Sequence, residues 1–209
     1  MTAMPDRARM DLVRVAKAYG EGDDRQPVIE DVSFTVEPGE VTALVGPSGC
    51  GKTTLVNLIA GFTTPDAGAI RFNGKTVDGP GRERMVVFQE SALLPWLTTY
   101  GNVVFGPKVR GDLRGRALHK KAMQLLQRVG LAAFKDKYPG QLSGGMQRRA
   151  ELARALINDP AIMIMDEPFR GLDAMTRELM QEFFLRLFEE SHRTVLFVTS
   201  EVEEALFLA

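Results

Sequence analysis

"VTALVGPSGCGKTTLVNLIAGF", residues 41–62, combines an apolar run, a glycine-rich turn and an amphipathic stretch in that order. Val41–Val45 reads as a buried strand and Thr54–Ala60 as a helix. Between them stands Gly46-x4-Gly51-Lys52-Thr53, the spacing of a phosphate-binding loop in the context such a loop requires. Glycines let the backbone wind until several N–H groups face one anion. The helix N-terminus adds the positive end of its dipole. Gly46, Pro47, Ser48, Gly49, Cys50, Gly51, Lys52, Thr53 and Thr54 are therefore expected to cradle a nucleotide's phosphates. Lys52 would neutralise β- and γ-phosphate charge, and the Thr53 hydroxyl would ligate Mg²⁺.

Working outward, the N-terminal side is β-rich. In "DVSFTV" (31–36) Val32, Phe34 and Val36 alternate with Ser33 and Thr35, the period of a half-buried strand. "EPGE" (37–40) is a turn. "AGAIRFNGKTV" (67–77) carries a strand that ends at the turn signal Asn73-Gly74. Beyond residue 110 the period changes. Arg114–Val129 has apolar residues at helical spacing, and in Ser143–Asn158 the positions Met146, Ala150, Ala153 and Ile157 share one helix face. Asp159-Pro160 stops that helix. A strand "AIMIM" (161–165), a helix around Arg177–Glu190 and a strand "TVLFVT" (194–199) follow. Strands alternating with helices imply a mainly parallel sheet.

Asp166 and Glu167 stand at the end of "AIMIM", where a sheet presents ligand-binding groups. Beside a phosphate loop, Asp166 has a Mg²⁺ ion to hold and Glu167 can take a proton from an attacking water. The phosphate loop and this pair together imply a nucleoside triphosphatase, although adjacent carboxylates at a strand end can also be merely solvated and helix-capping; without a guanine-reading Asn-Lys-x-Asp the nucleotide is expected to be ATP. In bulk terms the chain is ordinary: 209 residues, net charge −1 and a single cysteine. There is no basic excess to suit nucleic acid, no internal disulfide, no signal-like core in "MTAMPDRARMDL", and no apolar run long enough to span a membrane.

"QLSGGMQRRAELARAL" (141–156) carries a more specific likeness. Leu142-Ser143-Gly144-Gly145-Met146-Gln147 resembles the signature sequence of ATP-binding-cassette (ABC) ATPases, a second anion site at a capped helix N-terminus. The resemblance covers nearly the whole chain and implies an α/β P-loop NTPase core of the RecA-like type. That core has a mainly parallel sheet, an N-terminal antiparallel β-subdomain and an inserted α-helical subdomain. One domain, 1–209, is then expected, with 1–88 and 160–209 forming the core and β-subdomain and about 90–158 the helical part. By the same resemblance Gln89 senses Mg²⁺ and the γ-phosphate. Ser143, Gly144, Gly145 and Gln147 meet the nucleotide of a second subunit, and Asp173 in "GLDA" crosses the dimer interface. Tyr19 is either the aromatic that stacks on adenine or an exposed strand tyrosine. Pro95-Trp96 after Leu93-Leu94 looks like the nitrate/sulfonate/taurine/bicarbonate import group.

The implied protein is the ATPase subunit of an importer, peripheral at the cytoplasmic face of the inner membrane. Its expected partners are a second ATP-binding subunit (a homodimer), transmembrane permease subunits docking near 89–106 and, indirectly, an extracytoplasmic solute-binding protein. No nucleic acid is expected. Trp96 and Phe105 are either core residues or part of the docking surface. Two rival readings are a hydrolysis-impaired subunit paired with a competent one and a soluble ABC ATPase outside transport. The stretch from Lys52 to Gln141 is too short for the coiled coil of those that act on DNA.

Three departures stand out. Where the family has a histidine that contacts the γ-phosphate, this chain has Ser200, while His119 and His192 lie elsewhere in the sequence. Ser200 either suffices beside Glu167, marks a slow site completed by a partner, or leaves turnover to the membrane subunits. Arg170 replaces a small residue in "EPFRGLDA". The helical pattern at 201–209 carries no stop signal, so a truncated C-terminus is expected.

Overall fold

In a computed structural model the described residues are 8–189 and 193–209. Glu190, His192 and the opening residues of the N-terminal stretch lie outside them. The elements run β1 (Met10–Tyr19), β2 (Gln26–Val36), β3 (Val41–Val45), α1 (Lys52–Ala60), β4 (Ala67–Phe72), β5 (Lys75–Thr76) and β6 (Arg84–Val87). They continue with α2 (Thr99–Arg110), α3 (Gly115–Arg128), α4 (Gly144–Leu156), β7 (Ile162–Asp166), α5 (Ala174–Glu189), β8 (Thr194–Thr199) and α6 (Val202–Leu208). The chain divides into two units. The first takes its described residues from 8–86, 161–167, 185–189 and 193–209, the second from 87–160 and 168–184.

The first unit holds two four-stranded sheets, in the orders β2-β1-β4-β5 and β3-β8-β7-β6. In the first sheet β1 pairs antiparallel with β2 and β4, and Met10 lies opposite both Val36 and Phe72. The β4–β5 hairpin turns at Asn73 (φ 48°) and Gly74 (φ 78°), both left-handed as the sequence signal requires. In the second sheet β3 and β7 run parallel to β8. β7 and β8 are buried along their whole length, so no polar alternation interrupts "IMIMD" or "TVLFVT". β3 is as apolar but only half-buried, because it ends the sheet. Leu55, Val56, Leu58 and Ile59 of α1 share one core with Ile162, Ile164, Leu196 and Val198. Burying each such side chain contributes about 1.5–3 kcal/mol.

The parallel register positions the chemistry. Val45 lies opposite Thr199, and Asp166 opposite Val198. The residues that follow, Gly46, Ser200 and Glu167, therefore leave the sheet at the same carboxyl edge.

The second unit is helical. Val103 and Val104 of α2, Leu118, Ala122, Leu125 and Leu126 of α3, and Ala150, Leu152, Ala153 and Leu156 of α4 are buried. The sequence reading assigned α4 one apolar face. Arg148 and Glu151, outside that face, are buried as well, and Met146 within it is only partly covered.

Candidate active site

β3 gives way to the phosphate loop at Gly46, whose N–H donates to the Thr199 carbonyl of the neighbouring strand at 3.3 Å. Gly49 (φ 83°) and Gly51 (φ 96°) wind the loop through left-handed conformations. Gly51 is the N-cap of α1, which starts at Lys52, two residues earlier than the apolar pattern indicated. Space as well as dihedral excludes a side chain at Gly51. A Cβ there would stand 2.8 Å from Ile29 Cδ1 and 2.9 Å from the Val28 carbonyl oxygen.

Lys52 is 7% exposed. Its Nζ donates to the carbonyls of Gly46 at 2.8 Å and Pro47 at 2.9 Å, and lies 3.2 Å from Glu167 Oε1. Thr53 Oγ1 donates to Asp166 Oδ2 at 2.9 Å. Asp166 and Glu167 are 4% and 7% exposed. Burial pushes the Asp166 carboxyl above its ordinary value against the pull of the Thr53 bond; the Glu167 charge pushes it further and Lys52 opposes. Glu167 sits at φ 43°, a region that costs a side-chain-bearing residue strain, and its N–H is fixed on the Val198 carbonyl at 2.8 Å.

These residues suit a magnesium nucleotide. The Thr53 hydroxyl and Asp166 carboxylate are adjacent hard oxygens, as Mg²⁺ prefers. The buried Lys52 ammonium bonds two backbone carbonyls of its own loop, which phosphate oxygens can replace.

Ser200 follows β8 beside this cluster and is partly exposed. Its neighbour Thr199 is buried, accepts from the Glu201 N–H at 3.1 Å and donates to Glu204 Oε2 at 2.6 Å. Glu204 is 8% exposed. This pair, which sequence reasoning missed, locks the turn on which Ser200 sits. Its only signal was a Thr at the end of an apolar run and a Glu five residues on. Tyr19, at the end of β1, is 45% exposed, with Lys17 Nζ 5.6 Å from the ring centroid. The ring is not a core residue.

The second unit gathers the remaining expected residues. Ser143 is the N-cap of α4 and accepts from the Met146 N–H at 3.4 Å. Gln147 Nε2 donates back to the carbonyls of Pro139 at 3.0 Å and Leu142 at 3.3 Å. Gly144 and Gly145 lie against the segment that carries Asp173. A Cβ on Gly145 would come within 2.7 Å of Thr176 Cγ2, and one on Gly144 within 3.3 Å of Leu172 Cδ2. Asp173 caps α5, accepting from the Thr176 N–H at 3.0 Å, and its bonds to Thr176 hold its carboxyl below the ordinary value. Gln89 follows β6 and is exposed, with its carbonyl tied to Arg148. Trp96 and Phe105 are 69% and 40% exposed, so neither is a core residue. Arg170 is exposed.

Residues 29–170, most of the chain, match the family model described as "ABC transporter". The chain belongs to the ABC transporter family. It is 52% identical over 184 residues to the taurine import ATP-binding protein TauB of Chromobacterium violaceum, which covers 88% of this chain and 70% of that protein. To TauB of Escherichia coli strain K12 it is 47% identical over 198 residues, 95% of this chain and 77% of that one. Among solved structures it resembles the ATP-binding cassette MJ0796, in a dimeric post-hydrolysis state bound to ADP and Pi. The TM-score there is 0.81 at 31% identity, over 95% of this chain and 90% of that one. The ABC resemblance read from 141–156, and the import group read from 93–96, are thereby borne out, as is the α/β P-loop fold. Among the described residues no helix is long and apolar enough to cross a membrane.

Proposed function

We propose that this chain is the ATP-hydrolysing subunit of an ABC importer for a small sulfonated solute of the taurine type. The observation that carries it is one cluster at the sheet's carboxyl edge, Lys52 against Glu167 and Thr53 against Asp166. The names of the TauB relatives support the direction of transport and the solute class.

In this reading Gly46–Thr54 bind the phosphates through backbone N–H groups, and Lys52 exchanges its loop carbonyls for phosphate oxygens. Tyr19 stacks on adenine. Thr53, Asp166 and Gln89 hold Mg²⁺, which supplies Lewis-acid polarisation of the phosphate oxygens. Glu167 Oε1, freed from Lys52, accepts the proton of the attacking water. Ser200 donates one hydrogen bond toward the same place; it carries no charge and reaches less far than a histidine. Ser143, Gly144, Gly145 and Gln147 complete the site of a second, identical subunit, and Asp173 crosses between the two. Residues 1–209 act as one ATP-binding domain, peripheral at the cytoplasmic face of the inner membrane. Permease subunits dock near 89–106, where Trp96 and Phe105 are exposed, and receive solute from an extracytoplasmic binding protein.

Steady-state MgATPase activity of the chain tests this reading. The parent hydrolyses ATP, and Glu167→Gln lowers kcat by about 10²-fold or more, the contribution of a positioned base. Ser200→His stays within about tenfold of the parent, well short of the 10²- to 10³-fold that a primary transition-state contact commands. A parent that binds ATP without turnover, restored by Ser200→His, would overturn the reading of an active motor.

A further inference from the structure

Between β6 and α2 the chain runs from Phe88 to Thr98 without helix or strand. A segment of this kind must find partners for its backbone N–H and C=O groups elsewhere. Side chains of the same unit supply them. Arg148 donates from Nη1 to the Phe88 carbonyl at 2.7 Å and from Nη2 to the Gln89 carbonyl at 2.6 Å. Glu151 Oε1 accepts from the Ala92 N–H at 2.6 Å, and its Oε2 accepts from Arg148 Nη1 at 2.6 Å. Arg154 donates to the Ala92 carbonyl. The three residues stand at i, i+3 and i+6, one stripe of α4. Asn102, wholly buried on α2, continues the pattern. It accepts from the Leu94 N–H at 2.7 Å and donates to the carbonyls of Leu94, Leu97 and Thr98.

Arg148 and Glu151 are both 6% exposed. A buried ion pair is a poor source of stability compared with apolar residues of the same volume. What this pair provides is a defined backbone position, because each member also bonds main-chain groups of 88–92. Arg148 also lies little more than one helical turn beyond Ser143, the cap of the same helix.

We infer that Arg148 and Glu151 are positioning residues for Gln89, fastening its backbone to the helix capped by Ser143 so that both segments shift together. The inference rests on the roles proposed above for Gln89 and Ser143.

Arg148→Lys is the discriminating substitution. It keeps a cation beside Glu151 but cannot reproduce the fork that reaches two successive carbonyls. In MgATPase assays of the full chain, the Mg²⁺ concentration for half-maximal rate rises about tenfold, the lower end of what loss of an outer-shell partner costs. The thermal midpoint stays near the parent's. In a Gln89→Ala background the same substitution has no further effect, since the two act through one group. Additive losses in that cycle, or an unchanged Mg²⁺ requirement with only a lowered thermal midpoint, overturn the inference. Amide hydrogen exchange supplies a readout that needs no turnover. Glu151→Met accelerates exchange at Ala92 while the amides of α3 keep their parent rates; an Ala92 amide that stays protected overturns the inference. An inert parent contradicts the proposed function alone and leaves the exchange result to decide this one.

Discussion

Gly49, Gly51 and Glu167 show how much backbone conformation depends on single residues at this site. Gly49 and Gly51 share a left-handed backbone, yet a Cβ meets nothing within 4 Å at Gly49, and the Val28 carbonyl and Ile29 side chain at Gly51. Gly49→Ala is expected to cost only backbone strain, about 1 kcal/mol. Gly51→Ala adds overlap with a fixed carbonyl and costs about 3 kcal/mol. Chemical denaturation of the two variants side by side checks the order. Glu167 keeps a strained φ because its N–H is held on β8 and its carboxylate on Lys52. Strain maintained by surrounding bonds is found where a group must be preorganised.

At the scale of the element, caps and buried polar side chains decide how the second unit is built. Thr98 caps α2, accepting from the Gly101 N–H at 3.1 Å. Thr98→Ala should lower stability by about 1 kcal/mol in denaturant titration. Asn102 one turn later is a larger matter, since its removal takes the side-chain partner from the Leu94 N–H and the Leu97 carbonyl, while the Leu94 and Thr98 carbonyls keep the N–H groups of Leu97 and residue 102. Asn102→Ala is expected to cost about 3 kcal/mol and to raise the segmental mobility of Trp96, the sole tryptophan, seen as faster fluorescence depolarisation. On α4 burial pushes the Glu151 carboxyl above its ordinary value, against the pull of Arg148 and of the Ala92 N–H. The Arg148–Glu151 contact at 2.6 Å and the bonds of both to 88–92 hold this helix as well as its apolar side does.

At the scale of the whole molecule, the first unit ties distant parts of its β layer through Asp66. Its carboxylate accepts from the Ala18 N–H at 2.8 Å, Lys17 Nζ at 2.9 Å and Arg25 Nη2 at 2.9 Å. The Ala18 N–H first, then Lys17 and Arg25, hold the carboxyl well below the usual carboxylate range. A depressed folded-state value means that the folded chain resists protonation more than the unfolded one. The stabilisation is therefore complete above the ordinary aspartate value of 3.8 and is lost as pH falls below it. Asp66→Asn should flatten the acid limb of a stability-versus-pH profile and leave its slope near neutrality unchanged. Acid titrations followed by circular dichroism would show this.

Taken by itself, the sequence determined whatever depends on neighbours along the chain. Gly46-x4-Gly51-Lys52-Thr53 between a strand and a helix, Ser143 ahead of a helix, and Asp166 at the end of an apolar run each declare their role locally. Dihedral preference, capping and hydrophobic period act over a few residues. Only the tertiary structure decided that Lys52 rests on Glu167, that Glu204 locks the turn on which Ser200 sits, and that Arg148 and Glu151 grip the backbone of Phe88, Gln89 and Ala92. Arg148 and Glu151 have the i, i+3 spacing of an exposed helical ion pair, and their sequence does not distinguish that from a buried one. The difference lies in which backbone groups the rest of the unit leaves unsatisfied, and this is settled only when segments far apart in the chain are packed together.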